Sequence, residues 1–181
     1  MPSKKFTSVN KYQELRLFPL SLVLFPGMTL PLRIFEERYK LMIGECIDNQ
    51  LPFGVVLIKE GQEVGGTAVP YPIGTTAHIT KVERMDGGGY YIESIGETRF
   101  RIQHLSQETP FLIASVELLK EDKSGRLKVL SKNAANLLSQ LWQLQSGLNG
   151  GWANSPVVPD DPVDLSYAIS QSVAQLFLNH I

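Results

Sequence analysis

The stretch Leu17–Tyr39, LFPLSLVLFPGMTLPLRIFEERY, holds three prolines, one glycine and a change of hydrophobic period. An apolar run from Leu15 to Leu32 has the length of a membrane span, but Pro19, Pro26 and Pro31 interrupt it, and Arg16 and Ser21 lie inside it. A spanning helix needs about 20 mostly apolar residues that stay helical. The run therefore reads as strands. The β-formers of Glu14–Phe25 predict two short strands around Pro19. Phe25-Pro26-Gly27 predicts a turn, because proline presets φ at one central position and glycine accepts φ > 0 at the next. Thr29–Ile34 is the following strand, and Pro31, which has no ladder donor, predicts an edge or a bulge.

The period changes at Glu36. Tyr39, Met42, Ile43, Cys46 and Ile47 share one helical face, with Glu36 and Glu37 at the positive N-terminal end. Cys46 lies on that stripe and reads as a small core hydrophobe. The run Phe53–Lys59 predicts a buried strand, and Glu60–Gly66 a loop. Pro70 and Pro72 predict irregular chain up to Gly74. Thr75–Met85 alternates, Asp86–Gly89 reads as a hairpin turn, and Tyr90–Ile95, Arg99–Leu105 and Phe111–Leu119 supply three more strands. Leu127, Leu130, Ala134, Leu137, Leu138, Leu141 and Leu144 predict a helical stripe. A Gly- and Pro-rich loop, Gly147–Pro159, follows it. Asp161-Pro162 starts a last helix with Leu165, Ala168, Ile169, Val173, Leu176 and Phe177 inward. The expected organisation is α+β: a β-rich domain at 12–120 carrying one inserted helix, then a helical subdomain at 121–181.

With 181 residues, 43% hydrophobic and 19% charged, the chain has the profile of a folded protein. Its 17 basic and 18 acidic residues give a net charge of −1, unlike a dedicated nucleic-acid binder. A lone cysteine excludes an internal disulfide and a cysteine-based zinc site, and it points to a reducing, cytoplasmic setting. The interrupted apolar run predicts no membrane association.

Catalytic constellations are missing. The glycine loops 61–66, 87–89 and 147–151 lack the lysine of a phosphate-binding loop. His78, His104 and His180 fall in separate segments without a second ligand at metal spacing. There is no nucleophile elbow, and Ser131-Lys132 lies on the polar side of a helix. No catalytic, cofactor-binding or metal-binding residue is expected, and no cofactor.

Several pieces of sequence, in order, resemble one family. Val23-Leu24-Phe25-Pro26-Gly27 and Leu30-Pro31-Leu32-Arg33-Ile34-Phe35-Glu36 are similar to the opening of the N-terminal, substrate-binding domain of Lon proteases. Gly74-Thr75-Thr76-Ala77-His78-Ile79, Gly96-Glu97-Thr98-Arg99-Phe100-Arg101-Ile102 and Asp161-Pro162 with Leu165 and Ala168 resemble later parts of it. The likeness covers roughly residues 14–178 and reaches no ATPase or protease domain. It implies a PUA-like β pseudo-barrel followed by helices, as in stand-alone Lon-domain proteins. The implied function is a non-enzymatic polypeptide-binding or adaptor module in protein quality control. Its partners would be unfolded or extended polypeptide segments and a protease or other partner protein. Phe35, Tyr71, Tyr90 and Tyr91, aromatics near loops, are the candidate peptide contacts. The rival is RNA binding through Arg84, Arg99 and Arg101 near Tyr90, against which stands the net acidic segment 41–120.

Overall fold

A computed structural model of the chain describes residues 13–66, 68–106, 110–121, 128–148 and 157–178. Leu127, His180 and most of the loop 147–159 lie outside the described residues, as does the side chain of Phe177. The chain divides into two compact units, one of residues 1–24 and 29–119, the other of residues 25–28 and 120–181.

Among the described residues the first unit holds six strands and a helix: β1 (Gln13–Leu20), β2 (Thr29–Ile34), α1 (Glu37–Asn49), β3 (Phe53–Gly61), β4 (Ala68–Arg84), β5 (Tyr90–Ser106) and β6 (Leu112–Leu118). The sheet order is β2-β5-β4-β3-β1-β6, and a further β5–β6 ladder joins its far end back to β5. Five strands thus close into a ring, while β2 stays outside on the first half of β5. Within the ring β1 runs parallel to β3 and antiparallel to β6. Leu15, Leu17, Val56, Phe100, Ala114 and Val116 form a buried cluster there.

Three expectations about strands need correction. Pro19 does not divide the first strand: β1 is continuous, and at Pro19 it pairs only with Val56 of β3, beyond the last β6 partner at Leu17. A proline there can interrupt pairing on one side at most. Pro70 and Pro72 do not keep the chain irregular either, because β4 begins at Ala68. Pro70 sits opposite Ile58 with register shifts on both sides, and such bulges absorb the lost donor. Tyr90–Ile95 and Arg99–Leu105 are one strand of 17 residues rather than two. A register shift between Thr75 and Ala77 faces Gly96–Arg99. The Thr76 hydroxyl fills that gap, donating to Thr98 O (3.3 Å) and accepting from Thr98 N (3.1 Å).

Other expectations hold as read. Thr29–Ile34 is a strand at the sheet edge, where Pro31 is tolerated. Tyr39, Met42, Ile43 and Cys46 are the buried face of α1. That helix ends on left-handed Gln50 (φ 53°), with Leu51 N donating to Cys46 O at 2.9 Å, a Schellman-type closure. At its start Glu36 Oε2 accepts from Arg38 Nε (3.1 Å) and from Gly65 N (3.2 Å), while Arg38 Nη1 donates to Gly66 O (2.7 Å). The same guanidinium lies over the Tyr39 ring, which stacks on Phe18 at 4.1 Å. Gly87 and Gly88 are the left-handed residues of the β4–β5 hairpin.

The second unit contains α2 (Lys128–Leu148), α3 (Pro162–Leu178) and the turn 25–28. Gly27 has φ 78°, and Met28 N donates to Phe25 O at 3.0 Å, as expected for that turn. Asp161 caps α3, its Oδ1 accepting from Val163 N (2.9 Å) and Asp164 N (3.2 Å). The apolar stripes of both helices need correction. On α2 Leu138 is buried, but Leu130, Leu137 and Leu144 are exposed. On α3 Val173 is exposed, and buried Ser172 accepts a hydrogen bond from Trp142 Nε1 (2.9 Å). A polar contact between the helices replaces part of the expected apolar one.

Candidate functional site

The free strand β2 builds the most distinctive surface of the first unit. Because side chains alternate, one face of β2 and of the first half of β5 turns inward with Leu30, Ile34, Ile92 and Ser94. Ser94 stays satisfied there by donating to Leu30 O at 3.1 Å. The opposite face presents cross-strand rows. Arg33 pairs with Tyr91, which pairs with Glu83; Pro31 pairs with Glu93, which pairs with Lys81; Thr29 pairs with Ile95, which pairs with His78. All nine of these side chains are exposed.

The first two rows line an open depression of about 550 Å³. Tyr91 is its aromatic floor, 48% exposed, with the Arg33 guanidinium 5.8 Å from the ring centroid. Lys81 Nζ lies 2.6 Å from Glu83 Oε1. Hydrogen bonding to Glu83 raises the pKa of Lys81, and the same bond lowers that of Glu83. Both groups move away from neutrality, the reverse of what proton transfer at pH 7 asks for. The arrangement suits binding. On the outer side of β2 no strand is paired among the described residues, so its backbone groups border the depression.

The four aromatics expected as contacts do not come together. Tyr91 enters the depression. Tyr90, its neighbour in the strand, points the other way, its hydroxyl 3.6 Å from where a Cβ on Gly44 of α1 would stand. Phe35 follows the last β2 residue and is 53% exposed. Tyr71 is exposed in the first half of β4, ten residues or roughly 30 Å of strand from Lys81. Nor do the three arginines form a basic track: Arg84 pairs with Tyr90, whereas Arg99 lies nine residues further along β5, again roughly 30 Å away. Besides Tyr91, the lining residues, among them Pro31, Arg33, Lys81, Glu83 and Glu93, were not among the candidates read from the sequence. Their signal was the period-two spacing in 29-31-33 and 91-93-95, which acquires meaning only once the strands are paired.

The model of the ATP-dependent protease La (LON) substrate-binding domain matches residues 14–174. The chain belongs to this family. Lon protease 2 of Myxococcus xanthus is 30% identical over 141 residues, 71% of this chain and 17% of that protein. Lon protease 2 of Syntrophobacter fumaroxidans is 29% identical over 166 residues, 90% of this chain and 21% of the relative. The chain thus spans about a fifth of such relatives, the part matched by the Lon substrate-binding domain and not their ATPase or protease domains. Among solved structures, a Lon N-terminal domain protein from Xanthomonas campestris is 30% identical with a TM-score of 0.61, covering 73% of this chain and 75% of its own. The N-terminal domain of the Mycobacterium avium complex Lon protease shares the fold, with a TM-score of 0.62 at 19% identity, covering 90% of this chain and 83% of its own. Among the described residues of this Lon domain, no helix is long and apolar enough to cross a membrane.

Proposed function

We propose that this Lon domain is a non-enzymatic module that captures extended polypeptide segments and presents them to a protease or other partner protein. The observation that carries the reading is the edge of β2, unpaired among the described residues, beside the exposed Tyr91–Arg33 depression. An extended segment added to a sheet edge gains main-chain hydrogen bonds whatever its sequence, and neighbouring pockets read its alternate side chains. Tyr91 offers apolar area at low entropic cost, and Arg33 offers a charged donor at the end of the same row. Phe35, at the end of the β2 edge, extends the apolar contact. Pro31 removes one donor, which limits the register in which a guest strand can seat.

A carboxymethylated, permanently unfolded model protein and a single-stranded RNA, each titrated at 50 and 200 mM salt, test this. The unfolded protein should bind with a negative heat-capacity change and only a modest response to salt. Tyr91→Ala should weaken it by roughly tenfold, the loss of one central aromatic contact. Binding of RNA instead, falling by about 10³-fold over that salt range with no affinity for the polypeptide, would overturn the assignment.

A further inference from the structure

The second unit carries a surface that polypeptide capture does not use. On α2, Leu130, Leu137 and Leu144 are 66%, 66% and 68% exposed. They stand seven residues apart, with Ala134 and Leu141 between them at alternating steps of four and three. That is the a/d spacing of a coiled-coil seam. The stripe is distinct from the side of α2 that faces α3. Leu138, 2% exposed, and Trp142, which donates to Ser172 of α3, lie about 100° round the helix from it.

Charge is absent along the stripe. From Asn133 to Leu148 there is no Asp, Glu, Lys or Arg. An ordinary solvated stretch of that length carries about four. Depletion of charge around exposed large apolar residues marks the centre of an interface rather than a solvated face. The flanks also indicate the partner. On the flank away from α3, Asn133 and Gln140 border the stripe, and each side chain both donates and accepts hydrogen bonds. A charged partner helix would find no counter-charge along this stretch. A second α2 meets matching amides with no like-charge conflict.

We infer that α2 pairs with α2 of a second copy of this chain across a two-fold axis at Leu137. The contact is isologous, so Leu137 meets its own counterpart whichever way the helices run. Ala134 and Leu141 interdigitate beside it as in other seams. A helix of 21 residues is about 31 Å long. One such contact lies at the small end of specific interfaces, below about 1,200 Å² in total. The dimer is accordingly a concentration-dependent one, with a dissociation constant on the order of micromolar.

Sedimentation equilibrium from about 1 to 300 μM, spanning that constant, tests the pairing on the intact chain. Monomer and dimer should exchange across the range. Leu137→Lys should raise the dissociation constant at least about tenfold, a change of 1.4 kcal/mol, with circular dichroism and melting temperature unchanged because the side chain is exposed. Leu41→Lys, at a leucine of α1 that is 51% exposed, should leave the constant alone. Mixing Leu137→Lys with Leu137→Glu should restore the dimer, which general loss of hydrophobicity would not do. A chain that stays monomeric at the highest concentration overturns the inference, as does a dimer indifferent to Leu137→Lys. If Leu137→Lys instead weakens capture of the unfolded model protein by a monomer, the stripe belongs to the polypeptide ligand and self-pairing is wrong.

Discussion

Phe100 shows how single residues set the core of the first unit. Its ring is fully buried and rests against the backbones of Gly54 and Gly74. A Cβ on Gly54 would stand 2.8 Å from the ring, and one on Gly74 would stand 2.6 Å from it. At Gly74 the same Cβ would also lie 2.5 Å from Val55 O, which is backbone and cannot rotate away. These glycines matter for closeness of approach, since neither has a positive φ. Gly74→Ala should therefore destabilise by about 2–3 kcal/mol, as overpacking of a rigid site does, read as a lower urea midpoint at unchanged slope. A midpoint equal to wild type would mean that the strands around Phe100 part more easily than their packing indicates. Nothing in the sequence marks Gly54 and Gly74 as partners of Phe100, because the three meet only through the β3–β4 and β4–β5 ladders.

Turns and strands differ in how far their own residues decide them. The turn at Phe25-Pro26-Gly27 is local, and it forms as its residues require, with left-handed Gly27. A Cβ there would meet nothing within 4 Å, so strain is the whole cost of substitution. Gly27→Val should lose more than about 1 kcal/mol through backbone strain, measured as a fall in urea midpoint. An unchanged midpoint would show that the turn relaxes into another conformation. The long strands behave differently. Pro19, Pro70 and Pro72 are strand breakers by local chemistry, yet all three lie inside strands. Pro19 has lost its second neighbour by that point, and Pro70 lies between register shifts. The helices α2 and α3 show the converse. Their apolar residues fall at helical spacing and the helices form, but spacing does not tell which residues will find a partner. Leu137 and Val173 stay exposed on the single chain, whereas Leu138 and Ser172 are buried.

Stability of the whole molecule should depend on alkaline pH through α1. Burial pushes the Cys46 thiol up to about 11 from its ordinary value of 9.0, and burial likewise raises the Tyr39 phenol. In the unfolded chain both groups ionise at their ordinary values. As pH rises past 9 the unfolded state releases protons that the folded state retains, so stability present below pH 9 is lost on the way to 11. The melting temperature should fall between pH 9 and 11, and Cys46→Ala should flatten part of that fall. A thiol that reacts with a disulfide reagent at pH 8 as fast in the native protein as in urea would contradict the burial on which this rests.

The sequence by itself determined the local and the family-level features. A proline and a glycine at adjacent positions suffice for a turn, a 3.6-residue period suffices for α1 with Cys46 inside it, and the motifs between Leu17 and Ile102 suffice to place the chain among Lon substrate-binding domains. Tertiary structure alone decided the ring of five strands, the continuity of β4 and β5 through prolines and a bulge, and the surface that Tyr91 shares with Arg33, Lys81 and Glu93. The physical reason is distance along the chain. Arg33, Lys81 and Tyr91 come from three strands, and an alternating pattern fixes which way each side chain points within its strand but not which strand lies next to it. A binding face made of cross-strand rows exists only after the ladders have formed, and each ladder is selected by the apolar residues on its other face.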